Sequence, residues 1–166
     1  VALAWGANRQ GRIVADVVNG IDNRFNGSMG TSALKLFNMV IASVGNNQRT
    51  LESKKIPFVA IHAQRGNHAS YYPGATDIAM KLCFNPKTGE ILGAQAIGQE
   101  GTEKRIDVIA TAIKLKAKVT QLADLELSYA PPFSSAKDPT NILGYIAENI
   151  INGYYQLAYV QQIAQL

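Results

Sequence analysis

The chain has 166 residues, 47% of them hydrophobic and 17% charged, with a formal net charge of +4. That is enough chain for one domain with a real core, and Lys and Arg are scattered rather than clustered, which argues against a nucleic-acid surface while suiting a small anionic ligand. A lone cysteine, Cys83, excludes an internal disulfide and a multi-thiolate metal site, and no apolar run approaches the roughly 18 residues of a membrane span.

In chain order, residues 7–19 are predicted helical, with Ile13, Val14, Val17 and Val18 on one face and Gly20 as the stop. The first turn, Ala7-Asn8-Arg9-Gln10, carries no acid where the helix dipole favours one. A helix start of this kind either accepts an anion from a ligand or reflects simple surface variation. Residues 21–30 are Asn- and Gly-rich and are predicted to be a linker at a domain boundary.

From Thr31 to Val44 the apolar pattern predicts a strand pair or one long bent strand, closing at Gly45. Residues 46–54 form a short helix capped by Asn46 or Asn47. Residues 57–63 form a strand, and a loop over 65–74 carries His68, Tyr71 and Tyr72. Residues 76–98 are a hairpin: Met80, Leu82 and Phe84 share one face, Asn85-Pro86-Lys87-Thr88-Gly89 turns the chain, and Gly93, Ala94, Ala96 and Gly98 permit close approach of another layer.

Thr102 is predicted to cap a helix whose apolar stripe is Ile106, Ile109, Ala110, Ile113 and Ala117, with Lys104, Asp107 and Lys114 outside it. A short helix over 119–125 leads into the segment that organises the chain, Tyr129 to Asn141, YAPPFSSAKDPTN. Pro131 and Pro132 fix φ and lack N–H groups, so the backbone here is stiff and extended. It is either a rigid connector or a presenter of Tyr129, Phe133, Ser134, Ser135 and Lys137. Asp138 as N-cap and Pro139 at the first helical position define its end. The helix over 139–152 is predicted to bury Ile142, Tyr145, Ile146 and Ile150. Tyr154 to Leu166 reads as another helix seeking a partner or as the start of a further domain.

Hairpins followed by helices predict an α+β layer with a mainly antiparallel sheet. The chain has no G-x-G-x-x-G between strand and helix, no P-loop, no third ligand to join His62 and His68 in a metal site, and no evident carboxylate pair. The residues alone describe a binding or assembly module rather than a complete enzyme. The opening Val1, with no methionine and no basic-then-apolar leader, predicts a piece of a longer protein with a cytoplasmic location.

Five separated strings resemble one family: LAWGANRQGRIVAD at 3–16, TSALKLFNMVIASVG at 31–45, YYPGAT at 71–76, EKRIDVIATAI at 103–113 and YAPPFSSAKDP at 129–139. Together they are similar to the C-terminal part of single-cysteine flavoprotein reductases of the pyridine nucleotide–disulfide oxidoreductase superfamily, nearest to its coenzyme A disulfide reductase branch. The resemblance implies that residues 1–20 end an FAD-binding domain, 21–30 link, 31–153 form the dimerisation domain, and 154–166 are a tail or a linker to a further, rhodanese-like domain.

It implies further that FAD and NAD(P)H serve the full-length parent, with neither expected in this chain alone, and that the parent is an enzyme while this chain alone is inactive. The backbone at Leu3, Ala4 and Trp5 would touch the flavin. Tyr71 and Tyr129 would reach across a homodimer to the partner's active site as general-acid help for a thiol leaving group. Asn8 and Lys137 would contact a coenzyme A-type disulfide or persulfide, the lysine meeting its phosphates. The dimer would form through the sheet and the helices near 103–117 and 139–152. No metal, nucleic acid or membrane partner is implied, and Cys83 does not match the family's active-site cysteine. The alternatives are an NADH oxidase or peroxidase of the same superfamily, cycling a cysteine through sulfenic acid, and a non-catalytic dimerisation module.

Overall fold

The computed structural model describes residues 3–159 and Gln162. A helix, α1 (Ala4–Val18), comes first, and residues 20–31 then run without regular structure to a five-stranded sheet. Its strands are β1 (Ser32–Leu36), β2 (Met39–Gly45), β3 (Val59–Gly66), β4 (Asp77–Phe84) and β5 (Ile91–Gly98), in the order β1-β2-β5-β4-β3. Every pairing is antiparallel, as the alternating apolar pattern predicts. The short helix α2 (Gln48–Ser53) follows β2 and is capped by Asn47, whose side chain accepts the Thr50 N–H at 2.9 Å. Helices α3 (Thr102–Lys114) and α4 (Pro139–Ile151), with a 3-10 turn at Val119–Leu122 between them, cover one face of the sheet.

The core lies between those helices and the inner face of the sheet. Val44, Ile61, Ile78, Met80, Leu82, Phe84 and Ala94 meet Ile106, Ile109, Leu122 and Leu143 there. At Gly93 an added Cβ would drive into the backbone of Asn46 and Val44, so the predicted close approach is made by the chain leaving β2. Cys83 is fully buried with Leu51 and Ala60 behind β3 and β4, and burial pushes its thiol up from the ordinary range despite the opposing Lys81 charge. It is a small buried hydrophobe.

Several expectations need correction. Of the α1 stripe only Ile13 is buried; Val14, Val17 and Val18 are exposed because no element among the described residues packs on that face, while Asp16, outside the stripe, is buried and accepts from Asn23 at 2.7 Å. Thr102 does not cap α3. Gly101 takes that place at φ 70°, and the buried Thr102 Oγ1 has no hydrogen-bond partner. Helix α4 turns Asn141, Leu143, Gly144 and Ala147 inward, while Tyr145 is exposed and Ile142, Ile146 and Ile150 are half-buried. The reason is Gly144, whose missing side chain lets the backbone of Leu122 and Ala123 sit directly against the helix. The strand expected at 57–63 lies at Val59–Gly66, and the helix expected at 119–125 is the single 3-10 turn.

Of the C-terminal stretch, residues 154–159 are irregular, and the Tyr159 hydroxyl accepts the Ala60 N–H at 3.3 Å. The rest of that expectation lies outside the described residues, Gln162 excepted. No helix among the described residues is long and apolar enough to cross a membrane.

Candidate active-site edge and its loops

Two loops at one end of the sheet bring the predicted tyrosines together. The first leaves β3 at Asn67 and re-enters at Thr76: the Asn67 N–H donates to Thr76 O at 2.8 Å, and the Thr76 N–H donates to Asn67 Oδ1 at 2.9 Å. Inside it, buried His68 sits 3.3 Å from Pro73 O through Nε2 and meets Tyr72 edge-on at 5.8 Å. His68 therefore partners Tyr72, and Tyr71 is left projecting, 75% exposed. The second loop is the proline segment. Its Tyr129 is 48% exposed, and its hydroxyl lies 3.1 Å from that of Tyr71, 58 residues earlier in the chain.

That hydrogen bond raises the Tyr71 phenol above its ordinary range, with some added desolvation and the nearby Tyr129 charge acting the same way. When one hydroxyl donates to the other, the acceptor's own proton is left to point outward at a ligand.

Beneath the pair lies an ion pair that sequence reasoning missed. Arg105, on the first turns of α3, and Asp138, the N-cap of α4, meet at 2.8 Å with side chains 2% and 3% exposed. Asp138 Oδ2 also accepts the Ser134 hydroxyl at 2.7 Å, while Oδ1 accepts the Thr140 N–H at 2.9 Å. Burial pushes the Asp138 carboxyl up, but the Thr140 N–H, the Arg105 charge and the Ser134 hydroxyl outweigh it and hold the group below the usual carboxylate range. Asn141 completes the join, returning its Oδ1 to the Asp138 N–H at 3.0 Å and donating to Leu122 O at 2.9 Å. The predicted cap at Asp138 and the proline at the first helical position are both present. Nothing in the local sequence distinguishes Arg105 from its neighbour Lys104. The only signal was its place beside Ile106 at the edge of the apolar stripe.

Between the two loops opens a cleft of about 700 Å³, lined on one side by Arg65, His68 and Ser70 and on the other by Ser135, Lys137 and Ile142. The Lys137 ammonium lies 5.5 Å from the centre of the Tyr145 ring, a cation–π contact that gives a flexible cation a preferred position. Among the described residues no group of three His, Cys, Asp or Glu side chains could hold a metal.

The remaining predicted contacts lie at the start of α1. Leu3 is the extended N-cap and supplies no side-chain bond, and the first turn holds no acid. Leu3, Ala4, Gly6, Ala7, Phe25 and Ser28 border a cavity of about 390 Å³ beside that helix start. Trp5 is 60% exposed and packs at 6.3 Å against Phe25. Asn8 spends its amide on Ala4 O of its own helix, at 3.0 Å.

Residues 31–140 match the family described as pyridine nucleotide-disulphide oxidoreductase, dimerisation domain, and the chain belongs to that family. Over 149 residues the chain is 38% identical to coenzyme A disulfide reductase of Staphylococcus aureus, covering 89% of this chain and 34% of that protein. The crystal structure of reduced Bacillus anthracis CoADR-RHD matches with a TM-score of 0.96 at 48% identity, over 99% of this chain and 30% of that one. A NAD-dependent persulfide reductase from A. fulgidus matches with a TM-score of 0.89 at 33% identity, over 96% and 29%. The chain thus carries the dimerisation domain of a pyridine nucleotide–disulfide oxidoreductase and is similar to coenzyme A disulfide reductase, spanning 34% of the length of that curated relative.

Proposed function

We propose that this chain is the C-terminal part of an FAD-dependent NAD(P)H oxidoreductase that reduces coenzyme A disulfide or persulfide, and that Tyr71 and Tyr129 act in the active site of the partner subunit of a homodimer. In this reading residues 1–20 finish the FAD-binding domain, 21–30 link it, 31–153 form the dimerisation domain and 154–166 lead onward. The observation that carries the reading is the phenol pair. Two exposed tyrosines from loops 58 residues apart are hydrogen-bonded at 3.1 Å.

Reduction of a disulfide by a thiolate breaks one S–S bond and forms another, and the leaving sulfur departs with the electron pair. A neutral phenol beside that sulfur lowers the barrier by donating a hydrogen bond or its proton as charge develops. In the pair, one hydroxyl donates to its neighbour and thereby fixes it, so the neighbour's proton is held toward the leaving group. Lys137 and Arg65, across the cleft, supply positive charge for the phosphates of a coenzyme A-type acceptor. Asn8 is assigned to the same substrate through the family resemblance, its amide being held by Ala4 O in this structure.

The helix start at Leu3, Ala4 and Trp5 suits FAD, because an uncapped, acid-free first turn beside a cavity favours an electron-rich ring edge. The backbone at Leu3, Ala4 and Trp5 would hold FAD, which would supply two-electron transfer chemistry to the parent protein. The exposed faces of α1 and of the sheet, including Leu34, Leu36, Ile41 and Ile97, are apolar enough to be covered by the rest of such a protein and by a second copy.

The test is anaerobic NAD(P)H oxidation by the parent protein with coenzyme A disulfide, coenzyme A persulfide and peroxide in turn. Turnover with a coenzyme A acceptor supports the reading. Turnover with peroxide alone contradicts it and moves the parent to the peroxidase branch.

A further inference from the structure

We propose that Arg105 is the positioning residue for the two phenols: one buried guanidinium fastens the Tyr71 loop and the Tyr129 loop to each other and thereby sets the spacing of their hydroxyls. The inference rests on the reading of Tyr71 and Tyr129 given above and adds the device that makes them a pair.

Arg105 is costly where it stands. It lies near the start of α3, where the helix dipole is positive, and it is almost wholly buried. Its donors account for the cost. Nη1 donates to Gly101 O at 3.0 Å, and Nε donates to Asp138 Oδ2 at 3.1 Å. Nη2 donates to Asn67 O at 2.8 Å and to Ser134 Oγ at 3.3 Å. Asn67 is the closing residue of the Tyr71 loop, and Ser134 and Asp138 anchor the loop of Tyr129. Ser134 is joined back toward Tyr129 by its own N–H, which donates to Ala130 O at 3.2 Å. A longer backbone bond, Ala69 N–H to Pro131 O at 3.3 Å, joins the two loops directly.

The phenols themselves are exposed, so their spacing is inherited from these two backbones. Only a planar fork of several donors reaches both loops at once. A lysine carries the same charge on a flexible stem as a point donor and cannot bridge them in the same way.

The test compares Arg105→Lys with Ile109→Val, a core variant of the same helix, on this chain with labelled tyrosines. Nuclear Overhauser cross-peaks between the Tyr71 and Tyr129 rings are the first readout. The expected result is that those cross-peaks disappear in Arg105→Lys and persist in Ile109→Val, each with a folded amide spectrum. If Arg105→Lys does not fold, Ser134→Ala is read in the same way: weakened cross-peaks support the inference, and unchanged ones overturn it.

In the parent, Arg105→Lys is expected to lower kcat on coenzyme A disulfide by about tenfold or more, within the range of general-acid help. Adding Tyr129→Phe should then cost no further turnover. Ring cross-peaks that persist in Arg105→Lys overturn the inference. If the rings separate while turnover stays unchanged, Arg105 stands as the fastening, and it is the catalytic reading of the tyrosines that fails.

Discussion

Replacing Asp138 with alanine tests the base of the site without reference to activity. The carboxylate accepts from Arg105, Ser134 and Thr140, and its side chain is 3% exposed, so deletion leaves a buried guanidinium facing a gap. Removing one partner of a buried ion pair costs about 3–5 kcal/mol, and losing an Asp N-cap costs about 1 kcal/mol. The two do not simply add, because they share one carboxylate. A loss of about 3–5 kcal/mol is expected in urea unfolding of the chain, equivalent to about 6–20 °C in Tm at this size. Asp138→Asn separates the parts, since its amide oxygen can still accept from Thr140 while the charge is gone; it should recover about 1 kcal/mol relative to alanine. Exposed Asp124→Ala is the control and should stay within about 0.5 kcal/mol of the parent sequence. A loss below about 1 kcal/mol for Asp138→Ala would refute the argument that this carboxylate locks the loop.

Three further outcomes follow from the same contacts. Tyr129→Phe removes the hydrogen bond that raises Tyr71, so a spectrophotometric titration should show the Tyr71 phenol moving down toward its ordinary range; an unmoved titration would mean the two hydroxyls do not meet in solution. Because the folded Asp138 carboxyl lies below its unfolded value, its contribution to stability is fully present above the ordinary carboxylate pKa of about 3.9 and is lost as pH falls through the folded value. Acid unfolding should therefore steepen below about pH 4, and Asp138→Asn should lack that part of the profile. Gly101→Ala should destabilise the fold by at least about 1–2 kcal/mol in urea, because φ is 70° there and the added methyl would meet the Arg105 guanidinium.

The sequence carried the sheet well. Alternation at Met80, Leu82 and Phe84, the Asn85–Gly89 turn and the small residues of β5 are local signals, and the strands formed where those signals lay. Asp138 and Pro139 likewise announced the start of α4. Burial was less legible, because it depends on what packs against a helix. Val14, Val17 and Val18 read as a core face but find nothing among the described residues to cover them, and Gly144, not Tyr145, meets the 3-10 turn. At the site, Tyr71 and Tyr129 were singled out through the family resemblance; their meeting at 3.1 Å is a property of the fold. Arg105 offered only its place at the edge of the apolar stripe, because its partners lie 29 to 38 residues away, except for Gly101, and distant acceptors leave no local pattern.

The central claim is that the phenol pair assists reduction of a coenzyme A-type acceptor, and it is tested most directly in the parent protein carrying Tyr71→Phe together with Tyr129→Phe. Anaerobic turnover with coenzyme A disulfide should fall by about 10²-fold or more while the flavin stays bound and is still reduced by NAD(P)H. Turnover equal to that of the unaltered parent would contradict the account and leave the two tyrosines as surface aromatics of a dimerisation domain.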